Sequence, residues 1–172
     1  MTIAAAIPDR LRRVVLERTF DAPRALVWKM WTDPAHVGVW FAPEHFTTPV
    51  VRMDVRPGGA IHMVMRAPDG AEHPFDGRFI ALDEPERLVM RTWIDSPDGG
   101  VWFEVEHSAR FEAVGDRTVM RFEAVVIQAR EDALTPLSGM ETGWSQSLDK
   151  LAAHIRAVAA AGAGMAKEHG HA

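Results

Sequence analysis

The stretch Arg18 to Phe41, RTFDAPRALVWKMWTDPAHVGVWF, constrains the fold more than any other part of the chain. A strand-like run enters Asp21-Ala22-Pro23, and two short helical periods follow that carry Trp28, Trp31 and Trp40. Asp21 reads as a helix cap and Pro23 as a first-turn residue, where a missing N–H costs nothing. Leu26, Val27, Met30 and Trp31 then share one helical face. Thr32-Asp33-Pro34 stops that helix and starts a second, to about Phe41, with Val37, Trp40 and Phe41 on one side. Two brief helices this apolar must be set against something larger, either a packed core or a ligand cavity.

The rest of the chain supplies the larger body. Arg13 to Phe20, rich in Val, Leu and Phe, reads as a first strand. From Phe46 to Ile127, period-two runs are separated by turn chemistry at Arg56-Pro57-Gly58-Gly59, Pro68-Asp69-Gly70, Asp83-Glu84-Pro85, Pro97-Asp98-Gly99-Gly100 and Gly115-Asp116, which predicts an antiparallel meander. Leu137, Met140, Trp144, Leu148, Leu151 and Ile155 fall at helical spacing, so a last helix is expected from Thr135-Pro136 to about Val158. At 1.5 Å per residue it is roughly 35 Å long, enough to cross six or seven strands. The expected organisation is one α+β domain over 13–158, a short extension at 1–12 and a frayed tail at 159–172 with His169 and His171 solvated.

A chain of 172 residues buries roughly 70% of its unfolded surface, so its core needs no staple of disulfide or metal. With no cysteine, thiolate nucleophiles and thiolate metal sites are excluded together. The net charge is −5 and the basic residues are scattered singly, which speaks against a nucleic-acid partner. No apolar run approaches the roughly 20 residues of a membrane span and no signal peptide is evident, so a cytoplasmic protein is expected.

If each hairpin centres on its turn, Ile61, Met63, Met65, Phe75, Gly77, Phe79, Met90, Thr92, Phe103, Val105, Phe111, Met120 and Phe122 share the face turned to the last helix. That face is rich in aromatics and thioethers and poor in proton-transfer groups, as an apolar pocket requires. The same residues would also serve as plain core against Met140, Trp144 and Leu148, and both readings stay open. Gly77 either opens room for a ligand or lets the helix approach. The same register sets His107 opposite Leu88 and Ala124, and His73 near Met65 and Ile94, too far apart to share an ion. On the outer face it sets Arg91 against Glu104 and Trp93 against Trp102, a tryptophan pair that could bury itself in a homodimer.

The ordered series Phe20-x-Ala22-Pro23, Val27-Trp28, Asp33-Pro34, Trp40-Phe41, Arg56-Pro57-Gly58-Gly59, Asp69-Gly70, Gly77, Leu88-Val89 and Gly143-Trp144 resembles the heat-shock-protein-90 ATPase activator homologue group of the START/SRPBCC superfamily. The resemblance spans about Val14 to Ile155. It implies the helix-grip fold, a curved antiparallel sheet of six or seven strands around a long C-terminal helix, with two short helices after the first strand.

The superfamily's uses differ, so three functions are carried forward. The first is binding of a small apolar molecule in a cavity bounded by Trp31, Trp40, Phe41, Met63, Met65, Phe75, Met90, Phe103, His107, Met120, Met140 and Trp144, with no cofactor, metal or catalytic residue assigned. The second is a polyketide cyclase or dehydratase-like enzyme using His107 or His73, of which His107 is the better candidate. The third is a stress-related co-chaperone. Eukaryotic activators carry an additional N-terminal chaperone-binding domain, whereas about a dozen residues precede the first strand here, so co-chaperone activity ranks below ligand binding.

Overall fold

A computed structural model of the chain describes residues 6–168. A short helix α1 (Asp9–Arg12) precedes strand β1 (Arg13–Phe20), whose alternating burial sets Val14 and Phe20 into the core. Helices α2 (Arg24–Thr32) and α3 (Pro34–Trp40) follow. The sequence places the α2–α3 junction correctly. Asp33 Oδ1 accepts the Ala35 N–H at 3.0 Å, and Pro34 opens α3. Asp21, by contrast, caps nothing. Pro23 is the N-cap residue of α2, without a side-chain bond, and Asp21 stands outside the turn within 3.7 Å of Arg117.

Six further strands form the meander: β2 (Thr47–Met53), β3 (Ala60–Arg66), β4 (Glu72–Asp83), β5 (Arg87–Asp95), β6 (Val101–Val114) and β7 (Arg117–Ala129). The sheet order is β1-β7-β6-β5-β4-β3-β2, antiparallel throughout, so α2 and α3 carry the chain from one edge strand to the other. A 3₁₀ turn at Glu131–Ala133 leads through α4 (Leu134–Leu137) into α5 (Met140–Glu168). Leu148, Leu151 and Ile155 bury one face of α5 in the cluster that holds Phe79, Leu88, Phe111 and Phe122. A seven-stranded sheet gripping one long helix is the helix-grip fold, α+β in class.

The last helix departs from expectation at both ends. It is broken at Ser138-Gly139 rather than continuous from Pro136, and it continues to Glu168, past Val158. Past Val158 the apolar period is gone, but the alanine-rich run keeps the highest intrinsic helix propensity. His169 and His171 lie outside the described residues.

Expected strand pairings on both faces of the sheet are also corrected. The β5–β6 register is displaced by two residues: Arg91 lies opposite Glu106 and Trp93 opposite Glu104, with an irregularity between Ile94 and Asp95. The cause is the turn. Gly99 and Gly100 both adopt positive φ, Ser96 N bonds to Gly100 O, and Arg130 clamps Asp98, Ser96 and Gly99 O. The facing Trp93–Trp102 pair therefore does not form. Trp102 donates Nε1–H to Asp132 Oδ1 at 2.7 Å instead. The same displacement sets His107 opposite Met90, not Leu88, while Ala124 is its other neighbour as expected. His73 lies opposite Met65 but not beside Ile94, because β4 begins pairing with β5 only at Asp76 and Trp93.

Gly77 neither opens ligand space nor admits the helix. A Cβ there would stand 2.5 Å from Arg91 O and 3.1 Å from Thr92 Cγ2, so the glycine is required by the adjacent strand. Gly77→Ala is expected to cost about 1–3 kcal/mol, the usual penalty of forced overpacking. The loss should appear as a lower urea midpoint at unchanged m.

Candidate ligand cavity

The sheet and α5 close on each other unequally. At the end of the sheet near the β4–β5 and β6–β7 turns, Phe79, Leu88, Phe111 and Met120 are at most 3% exposed and packed solid. At the opposite end, near the β3–β4 and β5–β6 turns, a cavity of about 270 Å³ remains. Its floor is Met65, Phe75, Thr92, Ile94, Phe103, Val105 and His107 from four neighbouring strands. Its roof is Leu137 with Met140, Gly143, Trp144 and Ser147 of α5, and Phe41, Ala42 and Pro43 close the side next to α3. The exposed Pro136 and Gly139 form its rim at the break between α4 and α5.

Local sequence accounts for the space. The break at Ser138-Gly139 starts α5 late, so only its first two turns cover this end of the sheet. Gly143 faces Pro43, whose Cγ lies 3.5 Å from where a Cβ would be, and this lets the α3–β2 loop fold against the helix. Trp144 braces the roof. Its ring is centred 4.3 Å from Phe122, 5.2 Å from Phe41 and 5.1 Å from His107.

No Asp, Glu, Lys or Arg lines the cavity. Its polar side chains are Thr92, His107 and Ser147, and Ser147 spends its hydroxyl on Gly143 O at 2.8 Å. His107 Nε2 lies 3.0 Å from Thr92 Oγ1, while Nδ1 is buried with no partner. Burial with no acid beside it pushes the imidazole pKa down to about 3, so the ring is neutral at physiological pH. A neutral imidazole that weakly basic is poorly matched to proton transfer near pH 7, where an effective catalytic group has a pKa close to the ambient pH. The site can enclose an apolar body and offers it few polar groups.

The sequence model of the Activator of Hsp90 ATPase homolog 1-like proteins matches residues 21–156, from just before α2 to within α5. The chain belongs to this family. No protein of curated function matches the sequence. Solved structures share the fold. Protein NE0264 from Nitrosomonas europaea is 23% identical over 89% of this chain and 99% of that one, with a TM-score of 0.74. Protein CV1439 from Chromobacterium violaceum is 26% identical over 84% and 96%, at 0.73. The AHSA1 protein SPO3351 from Silicibacter pomeroyi is 23% identical over 84% and 97%, at 0.66.

In this member of the family the structure brings seven of the twelve sequence-nominated residues to one cavity: Phe41, Met65, Phe75, Phe103, His107, Met140 and Trp144. Trp31, Trp40, Met63, Met90 and Met120 lie in the packed core, none more than 3% exposed. Trp31 sits between Trp40 and Trp144, at 4.7 and 6.3 Å, and its indole N–H has no partner. His73 is exposed and outside the cavity.

Sequence reasoning passed over Thr92, Ile94 and Val105 as site residues, although the alternation that selects Met90 and Phe103 selects them too. Nothing in the sequence announced Pro43 or Ser147. It also gave no sign of the imidazole pair His36 Nδ1 and His154 Nε2, which meet at 2.9 Å between α3 and α5, away from the cavity. Burial and the neighbouring His36 both lower the His154 pKa. Among the described residues no group of three or more His, Asp or Glu is arranged to hold a metal, and no helix is long and apolar enough to cross a membrane.

Proposed function

We propose that the chain binds a small hydrophobic ligand in the cavity between the curved sheet and α5. One observation carries the reading: the space is walled by aromatic, aliphatic and thioether side chains and contains no charged residue. Its volume of about 270 Å³ lies just below the usual range for such sites. An apolar cavity of about 150 Å³ accepts one benzene ring, so a body of about two rings is the expected size. A ligand with roughly the area of a buried Trp, ~250 Å², would gain about 6 kcal/mol. That sets a dissociation constant of tens of micromolar or weaker once association costs are counted.

A cyclase or dehydratase reading needs a positioned proton-transfer group, and the one imidazole in the cavity is held neutral with a weakly basic ring. Co-chaperone activity is suggested by the family's name alone, so ligand binding is preferred.

Native mass spectrometry of freshly purified protein, followed by solvent extraction, tests the proposal. A co-purifying apolar molecule supports it and names the chemical class. The variant Val105→Phe makes the test independent of what co-purifies. Val105 lines the cavity and is 3% exposed. If the space is open, the larger ring fills it and abolishes binding of added naphthalene, with the melting temperature held or raised. In a core without room, the same change should cost about 1–3 kcal/mol.

A further inference from the structure

Away from the cavity, the seam between α3 and α5 holds two imidazoles in direct contact. We propose that His36 and His154 form a metal site that bridges the two helices and takes a late divalent transition metal, Ni(II) or Cu(II), through two imidazole nitrogens, with water in the remaining positions.

His36 Nδ1 and His154 Nε2 stand 2.9 Å apart, with their ring planes inclined at 47°. Two cis ligands of a square-planar or octahedral ion, each about 2.0–2.1 Å from it and about 90° apart, stand about 2.9 Å from one another, whereas a tetrahedral ion spreads them to about 3.3 Å. The observed separation therefore fits the tetragonal preference of Ni(II) and Cu(II) better than the tetrahedral preference of Zn(II). Both helices are fixed beside the pair: Val37 and Ile155, the residues that follow the two histidines, are 2% and 1% exposed. Ligands carried on such anchored elements are held in place before the ion arrives.

The same 2.9 Å also suits a hydrogen bond in which one ring donates to the other. The two arrangements differ in tautomer. With the protons on His36 Nε2 and His154 Nδ1, both neutral rings present lone pairs to the seam, and a metal ion accepts them. No carboxylate fixes the tautomer, since the histidine ion pairs among the described residues are those of His45 and His62. Lys150, on the same face of α5 one turn earlier, donates to Phe46 O at 3.2 Å in the loop that follows α3. Both rings are half-buried, so water reaches the coordination positions that the protein does not fill.

Nickel chloride added to the full chain tests the site. With free Ni(II) tenfold above its dissociation constant, the melting temperature should rise by about 3–6 °C and return with EDTA, and Mg(II) should have no effect. Zn(II) should need a higher concentration for the same shift, and the reverse order would overturn the tetragonal assignment. His36→Gln and His154→Gln should each weaken Ni(II) binding at least about tenfold, since even a group behind a metal ligand is worth that much. His73→Gln, at an exposed position, should leave it unchanged. An undiminished shift in both α3–α5 variants would place the metal on others of the eight histidines and overturn the proposal. No shift in the unmodified protein would leave the pair a hydrogen bond alone. Paramagnetic broadening gives a readout without variants: Ni(II) should erase the His36 and His154 ring signals first, and erasure of other rings in their place would be equally fatal.

Discussion

Trp40→Ala is expected to remove about 3–5 kcal/mol of stability, the range for deleting a fully buried aromatic ring. Against a total of roughly 5–15 kcal/mol for a domain, the variant would be marginal at room temperature. Trp40 has no exposed surface. Its ring is centred 4.7 Å from Trp31 and 5.4 Å from Phe41, and its Nε1–H donates to Met30 O at 2.9 Å. The side chain thus fills the angle between α2 and α3 and satisfies a carbonyl of the last turn of α2. Trp40→Phe keeps much of the apolar volume and loses the donor, so a smaller cost is expected, with the lost hydrogen bond accounting for about 1 kcal/mol. Urea unfolding of the three proteins measures both steps. A loss below about 1 kcal/mol for Trp40→Ala would mean that the site collapses without a void. Because Trp40 is not a cavity wall, Trp40→Phe should leave naphthalene affinity unchanged.

The contrast between Trp40 and its neighbour Phe41 marks the limit of sequence reading. Both belong to the same apolar stretch, yet Phe41 lines the cavity and Trp40 does not. Side-chain alternation tells which face of a strand a residue takes, and this was enough to bring Met65, Phe75, Phe103 and His107 to the helix side. It says nothing about distance along the sheet, which decides whether a residue meets α5 or empty space. Met63 and Met65 share a face, but only Met65 lies beyond the point where α5 begins to fill the groove. That point depends on the helix break at Ser138-Gly139 and on how Pro43 folds over Gly143, tertiary arrangements with no local pattern of their own. The strand order was legible because every connection in the meander is short and carries its own turn residues. Register was less so. A two-glycine turn and an irregularity after Ile94 moved Trp93 from Trp102 to Glu104, a displacement that keeps every face unchanged and is therefore invisible to alternation.

Acidification should expose the burial of His107 directly. In the unfolded chain its imidazole titrates near 6.5, and in the fold burial lowers it to about 3. Between those values the unfolded chain takes up a proton that the folded chain refuses, so stability is full above pH 6.5 and falls as pH drops toward 3. The slope for one proton is about 1.4 kcal/mol per pH unit, or about 2 kcal/mol lost by pH 5. For a chain of this length that corresponds to roughly 4–8 °C in melting temperature. His154, lowered by burial and by His36, titrates in the same sense, so the whole protein should be steeper than one proton. The His107 share is isolated by difference. His107→Gln lacks the titration, and its melting temperature should fall less between pH 7.5 and pH 5 by that amount. Parallel profiles for the two proteins would mean that the folded ring accepts a proton, and hence that water or an acid reaches it. The electrostatic basis for preferring an apolar ligand in the cavity would then be lost, because a protonated His107 beside it would attract a carboxylate.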